Sequence, residues 1–125
     1  MYDRPEIREL VAIVKEFLER QAMPALEGRV AFHARVAANA LGIVERELEL
    51  ADTANDTEGE RLRALLGSDG GLDDLNRELC RRLRSGDLTA ETPGLLDHLR
   101  ATTLAKLAVD QPRYSAYRRA LERGD

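Results

Sequence analysis

Residues 26–50 read LEGRVAFHARVAANALGIVERELEL, and this stretch decides the fold class. Val30, Ala34, Ala37, Leu41, Val44 and Leu48 recur at spacings of four and three, which is the seam of a bundle helix. No period-2 run of β-branched residues competes with that pattern. At about 100° per residue, Phe32, Val36, Ile43 and Leu50 fall beside the seam and widen the apolar arc to roughly half the circumference. Such a helix is expected to be central and enclosed by its neighbours. Ala34, Ala37, Ala38, Ala40 and Gly42 would let a neighbouring backbone approach closely, and that packing must offset the roughly 1 kcal/mol by which helical glycine trails alanine.

The same periodicity extends in both directions. Upstream, Asp3 is a candidate N-cap, with Pro5 in the first turn and Glu6 in a capping-box position. Ile7, Leu10, Val11, Val14, Phe17 and Leu18 follow as one stripe, and Pro24 predicts an end near Ala22. Downstream, residues 51–57 mix Asp, Thr and Asn without period and read as a connection. Thr57 and Glu60 then resemble the capping box of a short third helix that buries Leu62, Leu65 and Leu66. Residues 68–71 form a turn before the stripe Leu72, Leu75, Leu79 and Leu83, with Gly86 as C-cap. Thr92-Pro93 opens a fifth helix carrying Leu95, Leu96, Leu99, Leu104 and Leu107. After Asp110-Gln111-Pro112, a last short helix has Tyr114, Tyr117 and Leu121 on its apolar edge and ends in the polar Arg123-Gly124-Asp125. The expected architecture is a single all-α domain over residues 1–125: a helical bundle of four main helices and two short ones, with the second helix central.

A chain of 125 residues with 43% hydrophobic and 34% charged residues suffices for one core without metal or disulfide help. Its net charge of -4 provides no global attraction for phosphate, and nucleic acid is not an expected partner. No Trp and only 4% aromatics leave few stacking platforms for bases or sugars. Cys80 is the single cysteine, so no intrachain disulfide forms, and with two His it cannot build a tetrahedral Cys/His zinc site. No metal and no cofactor is expected. No apolar run approaches the roughly 20 residues of a membrane span, and the first residues lack the apolar stretch of a signal peptide. A cytoplasmic location and no membrane partner are the corresponding expectations.

Sequence signatures of catalysis are absent: there is no GxxxxGK loop, no GxGxxG, no HExxH and no GxSxG. Residues 67–71, GSDGG, follow a helix rather than a strand, and a turn accounts for them. Cys80, beside Leu79, reads as structural. His33 projects within the apolar arc of the second helix, one turn after Arg29 and on a bearing similar to Glu47, with Asn39 at the polar margin. A shielded imidazole there could serve as acid, base or switch, or simply donate one hydrogen bond across the bundle. On the fifth helix, Lys106 and Asp110 lie one turn apart near Thr103, in i,i+4 register for an ion pair. If the two helices were neighbours, Arg29, His33, Asn39, Glu47, Thr103, Lys106 and Asp110 would share a polar ligand-binding pocket. Arg81, Arg82 and Arg84, and again Arg118, Arg119 and Arg123, suit helix C-terminal dipoles, and a guanidinium can also fork onto phosphate.

Several segments carry a resemblance: Tyr2-Asp3-Arg4-Pro5, residues 25–41 (ALEGRVAFHARVAANAL), Glu78-Leu79-Cys80-Arg81-Arg82, and residues 99–107 (LRATTLAKL) running on to Pro112-Arg113-Tyr114. Across essentially its whole length the chain resembles a small bacterial family known only as a domain of unknown function. The resemblance implies genes encoded beside an aminoglycoside-phosphotransferase-type kinase and an acyl-CoA dehydrogenase, and it brings no catalytic assignment. The leading expectation is a non-catalytic accessory protein that binds the kinase or the dehydrogenase and touches an acyl-CoA or phosphorylated intermediate through surface arginines. The alternatives are a small enzyme or ligand-binding bundle, with His33 as base and Lys106 holding an anion, and a structural homodimer.

Overall fold

The computed structural model describes residues 3–124; Tyr2, which opens the first recognisable segment, and Asp125 lie outside the described residues. Among the described residues there are five helices and no strand: α1 (Ile7–Phe17), α2 (Gly28–Leu66), α3 (Leu72–Ser85), α4 (Leu95–Asp110) and α5 (Ser115–Glu122). They fall into two compact units, residues 1–50 and 51–125, and α2 enters both.

In the first unit the helix start differs from expectation. Glu6, rather than Asp3, precedes the first helical residue, and its amide donates to the Glu9 carboxylate at 2.8 Å. The helical path also does not stop at Ala22. It widens into a π turn over Leu18–Ala22 and continues through Met23–Ala25. Pro24 has no N–H and its ring crowds the carbonyl one turn back, and a widened turn before it relieves both problems. The chain then becomes extended at Leu26, and Gly28, at φ +62°, enters α2 through a conformation that side chains with a Cβ rarely adopt.

α1 runs antiparallel to the first part of α2. Arg8 donates to the Leu48 carbonyl at 2.6 Å, whereas Lys15, two turns later, donates to Glu45 at 2.8 Å. The stem of Lys15 lies where a Cβ on Gly42 would meet it at 3.8 Å. Gly42, Ala38 and Ala34 are buried and line up four residues apart, in the direction that α1 continues. The small residues thus mark the packed face of α2, and the large ones do not. Val30, Phe32, Val36, Val44 and Leu50 are exposed, so the first half of α2 is not enclosed as its wide apolar arc suggested.

The expected break over residues 51–57 does not occur, and the second and third expected helices are one helix of 39 residues. Neither proline nor glycine interrupts this stretch, and each polar residue costs only a few tenths of a kcal/mol in a helix. Thr57, expected to cap a new helix, instead donates its hydroxyl to the Thr53 carbonyl at 2.8 Å, one turn back in the same helix.

The core of the second unit is built of leucines. Leu62 and Leu66 from α2, Leu75 and Leu79 from α3, Leu88 from the following loop and Leu95 from α4 are buried together, with Leu65 and Leu72 against them. α3 ends as expected at Gly86, with φ +81°, while Leu83 at the end of its stripe is exposed. Cys80 is exposed, contrary to a structural role in the core, because it lies one residue past the inward Leu79. Thr92 does not cap α4. Its hydroxyl accepts from the Thr89 amide at 2.9 Å inside the loop, and Gly94, at φ +85°, makes the entry.

Two stability measurements check this architecture. Asn55→Pro should cost about 3 kcal/mol or more in urea unfolding, because it would remove a helical hydrogen bond and clash one turn back. A cost below about 1 kcal/mol would return residues 51–57 to a connection. Leu62→Ala, at a fully buried position, should cost about 2–5 kcal/mol.

Candidate functional site

The buried histidine of this protein is His98, not His33. α4 turns Leu95, His98 and Thr102 inward at spacings of three and four, leaving Leu96 and Leu99 exposed. A leucine-only reading of that helix therefore selects the wrong face. The physical reason is Arg61 of α2, whose Nε donates to His98 Nδ1 at 3.4 Å and whose Nη2 donates to Thr102 Oγ1 at 3.2 Å. One guanidinium satisfies both polar groups and lets that side of α4 pack. With Nδ1 accepting, the imidazole is neutral and carries its proton on Nε2. Burial and the Arg61 charge hold its pKa below the usual 6.5, against a smaller opposing pull from Glu58. Glu58 in turn accepts from the Asn76 amide at 2.9 Å, tying α2 to α3. The signal in the sequence was the Leu95–His98–Thr102 spacing.

A second polar cluster closes the α2–α3 turn. Glu78 accepts from Arg81 at 2.6 and 2.9 Å and from Arg82 at 2.7 Å. These bonds, Arg81 first, hold its carboxyl down to about 2. Arg82 also donates to the Leu66 carbonyl at 2.9 Å, covering an orphan acceptor at the C-terminus of α2. Two of the arginines considered for phosphate binding are thereby engaged in structure. A hollow of about 330 Å³ opens beside Asn55, Asp56, Gly59, Glu60, Arg63 and Leu72. Its polar rim is solvent-exposed.

The seven residues expected to share a pocket are all exposed. Arg29, His33, Asn39 and Glu47 belong to the first unit, and Thr103, Lys106 and Asp110 to the second. His33 stands edge-on to Phe32, ring centroids 5.6 Å apart, and the Thr103 hydroxyl donates to the Leu99 carbonyl of its own helix at 2.8 Å. The expected shielding of His33 fails because α2 packs along Ala34, Ala38 and Gly42, and His33 projects away from that line.

The more extensive feature is apolar. In α1, Ile7, Leu10, Ile13, Val14 and Phe17 are each about half or more exposed, and α2 adds Val30, Phe32, Val36, Val44 and Leu50. Large exposed apolar side chains recur along both helices of this pair. No helix among the described residues is long and apolar enough to cross a membrane.

Fold and surface together define an all-helical protein of two compact units, one with a leucine core and one with an uncovered apolar helix pair. Residues 24–114 match the family described as domain of unknown function DUF6285, and the chain belongs to that family. No curated protein and no solved structure matches the chain.

The neutral His98 sets a pH dependence. Because folding lowers its pKa, the unfolded chain takes up the proton first, so stability is flat above about pH 7 and declines as pH falls through 6.5. Urea midpoints between pH 7.5 and 5 should fall accordingly, and His98→Gln should remove that component of the slope. An unchanged slope in the variant would place the titration elsewhere.

Proposed function

We propose that this protein is a cytoplasmic, non-catalytic accessory protein that works by binding another protein. The observation that carries this reading is the edge of α2 formed by Phe32, Val36, Ile43 and Leu50. These residues are spaced four, seven and seven apart over about 27 Å of helix, and they point away from the buried Ala34, Ala38 and Gly42. Phe32, Val36 and Leu50 are 59%, 48% and 36% exposed, respectively. A helix edge with anchors at such intervals fits a partner's groove, and the aromatic at one end is the kind of residue that dominates such contacts.

The partner we propose is the aminoglycoside-phosphotransferase-like kinase or the acyl-CoA dehydrogenase that the family resemblance implies as genomic neighbours. Binding would bring this protein to an acyl-CoA or phosphorylated intermediate held by that enzyme. A ligand pocket built on His33 and Lys106 draws no support from the geometry, since both side chains stand in solvent.

Mixing the purified chain with each enzyme in sedimentation velocity tests the proposal. A faster-moving complex is expected with one of them, weakened at least tenfold by Val36→Glu, which would bury an unpaired charge in the contact. Three species that sediment independently at tens of micromolar would refute it.

A further inference from the structure

The other apolar side of the first unit carries an independent inference: we propose that it binds a second copy of this chain, two α1–α2 pairs closing into a four-helix bundle. The argument begins with direction. Arg8 and Lys15, which contact α2, fix the side of α1 that faces it, and Val11 and Leu18, near that side, are half-buried. Seen from the N-terminus of α1, Ile7 and Val14 lie about a quarter to a third of a turn counter-clockwise from that contact, and Leu10 and Phe17 lie further round in the same sense.

On α2 the contact runs along Ala34, Ala38 and Gly42. Val30, Ala37 and Val44 lie about a quarter turn round from it, again counter-clockwise as seen from that helix's own N-terminus. Because the two helices are antiparallel, equal senses of rotation about their own axes bring both stripes to the same side of the pair. Phe32, Val36, Ile43 and Leu50 fall on the opposite side. The first side is therefore a two-helix layer with apolar residues along both helices, which is half of a four-helix bundle.

The area matches a second copy. Ile7, Leu10, Val14 and Phe17 are 63%, 49%, 50% and 52% exposed, and Val30 and Val44 are 59% and 39% exposed. Phe17 is on the scale of 150–250 Å² for an aromatic and the five aliphatic side chains are smaller, so these six offer on the order of 400–500 Å² to solvent. A standard interface buries about 800 Å² per partner, and homodimer interfaces are about 65% apolar, which calls for about 500 Å² of apolar surface from each copy. A two-fold axis through the layer lets one self-complementary surface serve both copies. Val30, Ala37 and Val44, each seven residues from the next, supply the heptad spacing that knobs-into-holes packing of the second layer uses.

Sedimentation equilibrium on the full chain decides the matter. The wild type should run at twice the 14.0 kDa chain mass at micromolar concentration. Val14→Glu should raise the dissociation constant at least a hundredfold, and the milder Phe17→Ser about tenfold, with helical circular dichroism retained in at least one of the two. Val36→Glu, on the opposite side, should leave the dimer intact, so loss of the proposed enzyme partner and loss of the dimer are separable. A wild-type chain at 14.0 kDa up to hundreds of micromolar would overturn the inference. So would a dimer that survives both Val14→Glu and Phe17→Ser, or one that Val36→Glu dissociates.

Discussion

Two helix backbones can approach closely only where the intervening side chains are small, and on the first half of α2 that condition holds along Ala34, Ala38 and Gly42. The constraint is steric before it is hydrophobic. At Gly42 the stem of Lys15 packs within ordinary van der Waals reach of where a Cβ would stand, and its ammonium reaches Glu45 at 2.8 Å. Once α1 is seated there, Val11 and Leu18 of its apolar stripe turn toward α2, and Ile7, Leu10, Val14 and Phe17 cannot. The larger residues of both helices are left on the flanks, half in water. The exposed surface is thus a direct consequence of where the chain could pack tightly.

The second unit resolves the same competition differently. Its core is almost entirely leucine, and the one buried polar side chain among the described residues, His98, is accommodated because Arg61 reaches both it and Thr102. A buried imidazole without a donor would be costly, and a buried guanidinium more so. Together, with Arg61 only partly covered, each satisfies the other while the charge keeps access to water. The arrangement holds only with the imidazole neutral, since a second positive charge beside Arg61 would be repelled. Arg82 plays a related part at the α2–α3 turn, where Glu78 orients it and it covers the Leu66 carbonyl.

Much of this was legible in the sequence, and the failures share a cause. The all-helical class, the stripe of α3 and the glycine stop at Gly86 follow from periodicity and turn chemistry, which are local. The break expected at 51–57 was a judgement from polarity. Helices tolerate polar residues, and α2 runs on through Gly42 and Gly59 as well; a proline would have been needed to force a stop. On α2 the close approach at Ala34, Ala38 and Gly42 was legible, but the large apolar residues beside them read as buried too, and on α4 the leucines read as the buried face. Tertiary contact selected among these residues, by small size at Ala34, Ala38 and Gly42 and by hydrogen bonding at His98 and Thr102. Neither choice can be made from one helix alone. The pocket drawn around His33 rested on the first of these misassignments.

The contrast between the units bears on function. A unit that has buried its leucines and paired its buried polar groups gains little by further association. A helix pair that keeps Phe17, Phe32, Ile7 and Val30 more than half exposed pays a standing solvation cost that association would remove. Both phenylalanines of the chain stand in this unit, on different helices and different sides. Aromatics contribute most where they are fully desolvated, and their placement outside any core is what both proposed associations draw on. The two sides differ in geometry: one is a layer two helices wide and the other a single helix edge. A layer closes best against a copy of itself, whereas an edge fits a groove, and one small protein can on that basis hold two associations without either surface obstructing the other.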